Sequence, residues 1–304
     1  MTRHDRKAFK LLINLFQRKR FILKHKGKKY FKNFPLMLAL LLSLTAIYGR
    51  WIEPYQIEVH HVWIQDEYFG KVFGKKILVQ LSDLHINNIG KRERTLLKIL
   101  KELEPDIIFL TGDYVKWEGD YDEALMFLSR LKAKIGIWGI LGDYDYSNSR
   151  ESCLFCHEAN SGRPTKSHRV HFLRNSSELV NLPDGSIQVE GIDIEETESF
   201  PPEKSLQFFI NKEPAIVLSH NPLSFQLFSK DQNIFMLAGD THGGQIPLPS
   251  WLWRVIGYKK NALYSQGFFE KGHKKMFVSR GIGTSHIPIR LFRKPEVVVL
   301  HFLP

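Results

Sequence analysis

Five short stretches of this chain carry side chains that bind cations or move protons, and each lies just past an apolar run. They are Asp83-Leu84-His85, Gly112-Asp113, Gly142-Asp143-Tyr144-Asp145, Ser219-His220-Asn221 and Gly239-Asp240-Thr241-His242-Gly243-Gly244-Gln245. A single Asp or His in such a place is ordinarily a helix cap or a satisfied turn. Five in series need another cause. Carboxylate oxygen and imidazole nitrogen are the donors that hard divalent cations take, and two cations about 3.5–4 Å apart require a carboxylate shared between two clusters.

The elements that must position these residues can be read from periodicity. Ile77 to Ser82 reads as a buried strand, Arg92 to Leu103 as a helix and Asp106 to Thr111 as the next strand, which is a βαβ rhythm. Tyr121 to Leu131 reads as a second helix and Lys134 to Leu141 as a third strand. Further strands are expected at Ser186 to Gly191, Ala215 to Ser219, Ile234 to Ala238, Met276 to Ser279 and Glu296 to Phe302. No internal repeat or low-complexity tract interrupts them. The fold class this predicts is α/β, a mixed sandwich whose strand-end loops carry the chemistry.

The order D-x-H, G-D, G-D-Y-D, H and G-D-T-H resembles the calcineurin-like metallophosphoesterases, whose pattern is D-x-H, G-D, G-N-H-D/E, H and G-H-x-H. Val278-Ser279-Arg280-Gly281-Ile282-Gly283-Thr284-Ser285, Pro288-Ile289-Arg290 and Trp51-Ile52-Glu53-Pro54-Tyr55 resemble the membrane-anchored branch, which includes UDP-2,3-diacylglucosamine pyrophosphatases of lipid A synthesis. The resemblance implies a four-layer αββα sandwich over residues 53–304 and two divalent cations, Mn²⁺ or Mg²⁺. It also implies in-line displacement at phosphorus by an activated water, with no protein nucleophile. It places Asp83, His85, Asp113 and His242 on one cation, and Asp113, Asp143, His220 and Asp240 on the second, with Asp113 as the bridge. Asp113, Asp143 and Tyr144 are the implied catalytic group. The implied activity is cleavage of UDP-2,3-diacylglucosamine to UMP and the lipid monophosphate, with a general phosphodiesterase as the alternative within the superfamily.

Three positions depart from the pattern. Asp143 stands where the family has Asn, Tyr144 where many members have His, and Asp240 where the first His of G-H-x-H is expected. Four carboxylates facing two divalent cations favour hard ions over Zn²⁺ and weaken them as Lewis acids. Tyr144 cannot act as an imidazolium acid. A pyrophosphate, whose leaving group is a weakly basic phosphate ester, tolerates that loss better than a diester that expels an alkoxide.

Composition bounds the alternatives. The chain has 304 residues, 43% of them hydrophobic, and only two cysteines, so a conventional core and not a disulfide scaffold holds it together. Of the net charge of +11, all resides in residues 1–33, where 12 Lys and Arg face the single acid Asp5; the rest is formally neutral. A nucleic-acid-binding surface spread over the fold is therefore not expected. The basic arm suits an anionic lipid surface, and Phe9, Leu12, Ile13 and Phe16 give it the spacing of an amphipathic helix, with a solvated charged tail as the alternative. Behind it, residues 34–52 form an expected uncleaved membrane anchor. The apolar part from Phe34 to Gly49 spans about 24 Å at ~1.5 Å per residue, short of a ~30 Å hydrocarbon core. A true span sends the following domain to the far side of the membrane, whereas a helix that only dips into it leaves the domain in the cytoplasm. The lipid A reading favours a domain on the cytoplasmic face of the inner membrane.

Two features stand apart. Cys153-Leu154-Phe155-Cys156-His157 matches the pattern of covalent haem attachment, but within a complete hydrolase motif set it reads as coincidence, and paired thiols are the simpler expectation. Ile246, Leu248, Trp251, Leu252, Trp253, Val255 and Ile256, with Arg254, Lys259 and Lys260 nearby, form an apolar patch that is either core or a contact for acyl chains. A non-catalytic membrane module built on a damaged hydrolase is the rival from another class, and metal-dependent turnover separates the two. The oligomeric state is not legible.

Overall fold

The computed structural model describes residues 33–117, 119, 121–145, 168–192 and 214–304. The basic arm, apart from Asn33, and the Cys153–His157 motif lie outside these residues. Two units divide the chain, one ending at Tyr48 and the other running Gly49–Pro304.

In the first unit, helix α1 (33–47) exposes Phe34, Leu36, Met37, Leu40, Leu41 and Leu44 to its surroundings. The helical stretch Asn33–Tyr55 has 23 residues and a mean hydropathy of 1.5, so its length and composition suffice to cross a membrane. Its last turns already belong to the second unit. After a π turn over Tyr48–Ile52, Pro54 helps to start a 3₁₀ turn at Glu53–Tyr55. Fully buried Glu53 accepts backbone N–H groups from Phe292, at 2.9 Å, and from Arg293.

The second unit starts with strand β1 (Glu58–Gln65) and helix α2 (Glu67–Phe73), which Asp66 caps by accepting the Phe69 N–H at 3.1 Å. Then come β2 (Leu78–Leu81), α3 (Lys91–Leu103), β3 (Ile107–Thr111), α4 (Tyr121–Arg130), β4 (Gly136–Ile140) and β5 (Val170–Phe172). The rest is β6 (Ser176–Leu182), β7 (Gly185–Ile192), β8 (Ala215–Ser219), β9 (Ile234–Ala238), the short helices α5 (Ser250–Val255) and α6 (Lys259–Tyr264), β10 (Gly267–Lys271), β11 (Lys274–Val278) and β12 (Glu296–Leu303).

The strands form two six-stranded sheets, ordered β1-β12-β2-β3-β4-β5 and β10-β11-β9-β8-β7-β6. β2, β3, β4 and β5 run parallel in the first, as do β7, β8, β9 and β11 in the second. Because both faces of β3, β8 and β9 are covered, their sequences read as nearly unbroken apolar runs rather than alternations. One face of the first sheet packs Val79, Leu81, Ile108 and Leu110 under Leu96 and Leu100 of α3 and Phe127 and Leu128 of α4. Between the sheets, Leu78, Phe109, Val298 and Leu300 meet Ile216, Leu218, Phe235 and Phe277. Buried Gln80 of β2 crosses that layer and donates to the Ala238 carbonyl at the end of β9, at 2.9 Å. The outer face of the second sheet, with Val217, Met236 and Met276, is covered among the described residues by Phe225 and Leu227 of a 3₁₀ helix (Pro222–Leu227) and by Tyr264.

The expected strands and helices occur, most with ends shifted by one or two residues. Several elements were not expected. β1 and β6 are half-exposed edge strands, with His60, His61 and Trp63 or Glu178 and Asn181 where an apolar run would have revealed them. Helix α2 is legible only through its Asp66 cap. Downstream of the Cys153–His157 motif, His168 Nδ1 accepts the Val170 N–H at 3.2 Å, and His171 lies 3.2 Å from the Glu178 carboxylate.

Gly70 gives this packing a direct test. A Cβ there would sit 2.7 Å from the Leu303 carbonyl oxygen and closer still to the Pro304 backbone, neither of which can rotate away. Gly70→Ala is expected to cost about 3 kcal/mol or more of stability, seen as a lowered urea midpoint.

Candidate metal centre

The candidate residues lie at the carboxyl ends of the parallel strands: Asp83 and His85 after β2, Asp113 after β3, Asp143 after β4, His220 after β8, Asp240 and His242 after β9. Two sheets that face each other bring these ends to one place, the usual location for a site in parallel α/β sheets. The backbone there is bent to suit. Asp83, His85, Asp113, Asp240 and His242 all have φ between 43° and 72°, and they are five of the nine non-glycine residues in that region among those described. Each such residue costs of order 1 kcal/mol, so the strain is concentrated where the side chains must converge.

Two groups of donors result. Asp83, His85 and His242 form one, and Asp83, Asp113 and His220 the other, with the donor atoms of each within 4.8 Å of one another. His85 Nε2 and His242 Nε2 face each other at 3.1 Å. Asp83 Oδ1 stands 3.6 Å from His242 Nε2 and 4.0 Å from His220 Nε2. Asp113 Oδ2 lies 3.4 Å from His85 Nε2 and 3.5 Å from His220 Nε2, so one oxygen faces both groups. The other oxygen, Oδ1, accepts the Tyr144 N–H at 3.1 Å. Asp143 joins the second group, its Oδ1 3.3 Å from His220 Nε2. Asp240 is in neither group: its backbone N–H donates to Asp83 Oδ1 at 3.0 Å, and its own carboxylate is held by the Lys260 ammonium.

These residues fit cations. His220 Nδ1 donates to the Thr111 carbonyl at 2.7 Å, which turns Nε2 inward, where it is buried without a hydrogen-bond partner and faced by three carboxylates. His85 Nδ1 is likewise buried and unpartnered. Burial pushes the Asp83 carboxyl up to about 6 against the pull of His220, and raises Asp113 well above the carboxylate range. Burial, reinforced by the Arg92 charge, lowers His85 to about 3; burial with His85 and Arg290 holds His242 well below its usual value, so both imidazoles stay neutral and able to ligate. His220 differs: burial works to lower it, but Asp113, Asp143 and Asp83 outweigh burial and raise it. Burial works upward on Asp143, yet His220 and Lys260 hold it below the carboxylate range. Without another cation, His220 and Lys260 are the charges that offset this set of carboxylates.

Several residues that shape the centre carried no role in the sequence reading. Fully buried Asp145 accepts the N–H groups of Asp113 and Tyr114 at 2.7 Å and of Gly142 at 2.9 Å, fixing the loops after β3 and β4 against each other. It fills the final D/E position of the third motif, and that position was the available signal. Fully buried Arg290 donates to the carbonyls of Arg280, Gly283 and Arg293 at 2.6–3.0 Å, and its Nη2 lies 3.4 Å from His242 Nδ1. Trp117 and His286 flank Tyr144, each with ring centroids 5.6 Å from it, and Tyr144 meets His85 edge-on at 4.8 Å. No local pattern announces these two, because they come from loops far apart in sequence.

Two substitutions test this arrangement. Asp145→Asn replaces an acceptor oxygen with an amino group that meets backbone N–H donors, so about 3 kcal/mol of stability should be lost in urea unfolding. Lys260→Met removes the cation that competes for Asp240 and offsets Asp143. Its Mn²⁺ affinity, measured by titration, should rise about tenfold; an unchanged affinity would separate Asp240 from the metal centre.

Comparison with known proteins agrees with this geometry. The calcineurin-like phosphoesterase family signature matches residues 77–244, more than half of the chain and all of the candidate ligands. The chain is 28% identical over 259 residues to the uncharacterized metallophosphoesterase YkuE of Bacillus subtilis, covering 83% of this chain and 87% of that protein. It is 26% identical over 311 residues to the UDP-2,3-diacylglucosamine pyrophosphatase LpxG of Chlamydia trachomatis, covering 86% and 93%. It is 27% identical over 209 residues to the phosphodiesterase YaeI of Escherichia coli, covering 66% and 72%. With its Asp and His donors gathered at the strand ends of two facing sheets, the chain belongs to the calcineurin-like phosphoesterase family of metal-dependent hydrolases.

Proposed function

We propose that this hydrolase cleaves the pyrophosphate of a lipid-linked nucleotide, UDP-2,3-diacylglucosamine, releasing UMP and the acylated sugar phosphate. The observation that carries the reading is the joining, in one chain, of a two-group donor centre with an apolar helix long enough to cross a membrane. Similarity to LpxG along nearly its whole length supports the choice of substrate.

Asp83, His85, Asp113 and His242 would hold one cation, and Asp113, Asp143 and His220 the second, with Asp240 beside it. Two such cations offset charge on phosphoryl oxygens and make water a stronger nucleophile near neutral pH. The chain's own groups do the rest. Asp113 directs one oxygen at both groups while Tyr144 N–H holds the other. The Tyr144 hydroxyl is pushed up, by burial first and then by the Asp113 charge, so it keeps its proton and serves as a donor, not as a base. Lys260, beside Asp240, adds an ammonium at the edge of the centre. With Tyr144 in place of an imidazole, the arrangement suits a leaving group that needs little protonation, as a pyrophosphate provides. Mn²⁺ is the favoured ion and Mg²⁺ the alternative, because three carboxylates match the three imidazoles among these donors and Asp240 adds a fourth carboxylate beside them.

We further infer that the chain is held at the cytoplasmic face of the inner membrane, with α1 seated in one leaflet and the basic arm on anionic lipid. In the test, full-length protein is reconstituted with Mn²⁺ and radiolabelled UDP-2,3-diacylglucosamine. The lipid monophosphate should appear, chelator should abolish its release, and Asp113→Asn should slow it at least about a thousandfold. Hydrolysis of bis(p-nitrophenyl) phosphate with none of the lipid substrate would overturn the substrate and favour the phosphodiesterase reading, which YaeI supports.

A further inference from the structure

Helices α5 and α6 contain no buried residue. Trp251 is 63% exposed, Val255 75%, Ile256 47% and Tyr258 59%, all within eight residues of chain. The neighbouring loop adds Ile287, 60% exposed, and Phe292, 69% exposed. These are one region and not scattered side chains. The Gln245 side chain donates to the Ile287 carbonyl at 3.0 Å, the Leu291 N–H donates to the Gln245 carbonyl at 2.8 Å, and Gln245 leads directly into the chain that forms α5. Soluble surfaces seldom expose contiguous apolar groups on this scale unless something covers them.

We propose that this hairpin and loop form a docking face for an anionic lipid bilayer, one that seats the metal centre at the level of the lipid headgroups. Three observations choose the occupant. Between Thr241 and Phe269 the chain has three basic residues and no acidic one; Lys260 pairs with Asp240, and the charges of Arg254 and Lys259 complement anionic lipid. Trp and Tyr beside aliphatic side chains are the residues of a membrane interface, where an apolar body and a polar tip are both satisfied. The first residue of this domain, Gly49, also lies beside the same loop, its carbonyl accepting the Arg290 N–H at 2.9 Å.

The link to chemistry is direct. Asn261 of α6 donates to the Thr241 carbonyl at 2.9 Å, Thr241 Oγ1 donates to the Ser265 carbonyl at 2.6 Å, and Lys260 holds Asp240. Trp253 packs against Gly244, where a Cβ would lie 2.6 Å from the indole. The hairpin thus grips the loop that presents Asp240 and His242. Seating it in the interface presents the centre to a phosphate at headgroup depth, where the pyrophosphate of a lipid-linked substrate lies. The face itself does not depend on that substrate.

The experiment uses full-length protein with Cys153 and Cys156 replaced by Ser, carrying an environment-sensitive fluorophore on a single cysteine at Trp251→Cys, Val255→Cys or, as control, Glu102→Cys. It is reconstituted in vesicles of phosphatidylcholine with phosphatidylglycerol, with and without brominated lipid. Labels at 251 and 255 should be quenched by bromine, more strongly with phosphatidylglycerol present, and the label at 102 should not. Labels at 251 and 255 as water-exposed as that at 102 would overturn the proposal.

A kinetic arm uses Trp251→Glu with Val255→Glu, which should raise KM about tenfold or more for a vesicle-borne lipid pyrophosphate and leave bis(p-nitrophenyl) phosphate hydrolysis unchanged. Unchanged KM on vesicles would also count against the face. Quenching without any turnover of UDP-2,3-diacylglucosamine would support the face while removing the substrate reading. Equal loss on both substrates would mark damage to the fold, and the quenching would then decide.

Discussion

Two aspartates buried where the parallel strands end set the terms for the rest of this structure. Asp83 and Asp113 are both less than a twentieth exposed, and a carboxylate out of water is costly unless a cation offsets it. The side chains that face them as ion partners are imidazoles, of which only His220 is raised toward the charged form by its neighbours. The same two residues have left-handed backbone, and glycines stand where any side chain would collide with them. A Cβ on Gly281 would lie 2.7 Å from Asp83 Cβ, and one on Gly142 2.6 Å from the Asp113 nitrogen. Charge, strain and close packing thus fall on the same few atoms. Divalent cations offset all of this together, which is why the donor set reads as a metal centre and not as an ion-pair cluster.

The sheets serve that constraint. Gln80 ties the end of β9 to β2 across the inner layer, and Asp145 ties the β3 and β4 loops through backbone N–H groups alone. Arg290 gathers the carbonyls of the loop before β12 beneath His242. None of these three need touch a substrate. They fix the directions in which the ligands point, and supports of this kind determine metal geometry as much as the ligands do.

The parts legible in sequence were those with a strong local cause. β8 and β9 are covered on both faces, so Ala215–Ser219 and Ile234–Ala238 were visible as apolar runs with the observed limits. The candidate ligands were visible because each follows such a run within three or four residues. β1 was not, because an edge strand that pairs on one side with β12 can carry His61 and Trp63 on its open face. The hairpin of α5 and α6 was recognised as apolar, but exposure depends on what packs against it, and a linear pattern does not contain that. Trp117 and His286 meet Tyr144 only through tertiary folding. Lys260 was noted for its charge, while its grip on Asp240 required the structure.

That grip changes how the unusual carboxylates should be understood. Four aspartates around two divalent cations would leave a centre with no net positive charge to draw a phosphoester, itself anionic. Lys260 restores one positive charge at the position where Asp240 adds a negative one, and its charge also acts on Asp143. The two departures from the family pattern are therefore coupled through a lysine on α6. The lysine sits on the hairpin whose apolar face is exposed, so the charge balance of the second group is built into the same element that would meet the membrane. A change in the seating of that hairpin would alter the position of Lys260 relative to Asp240, and with it the electrostatics of the centre.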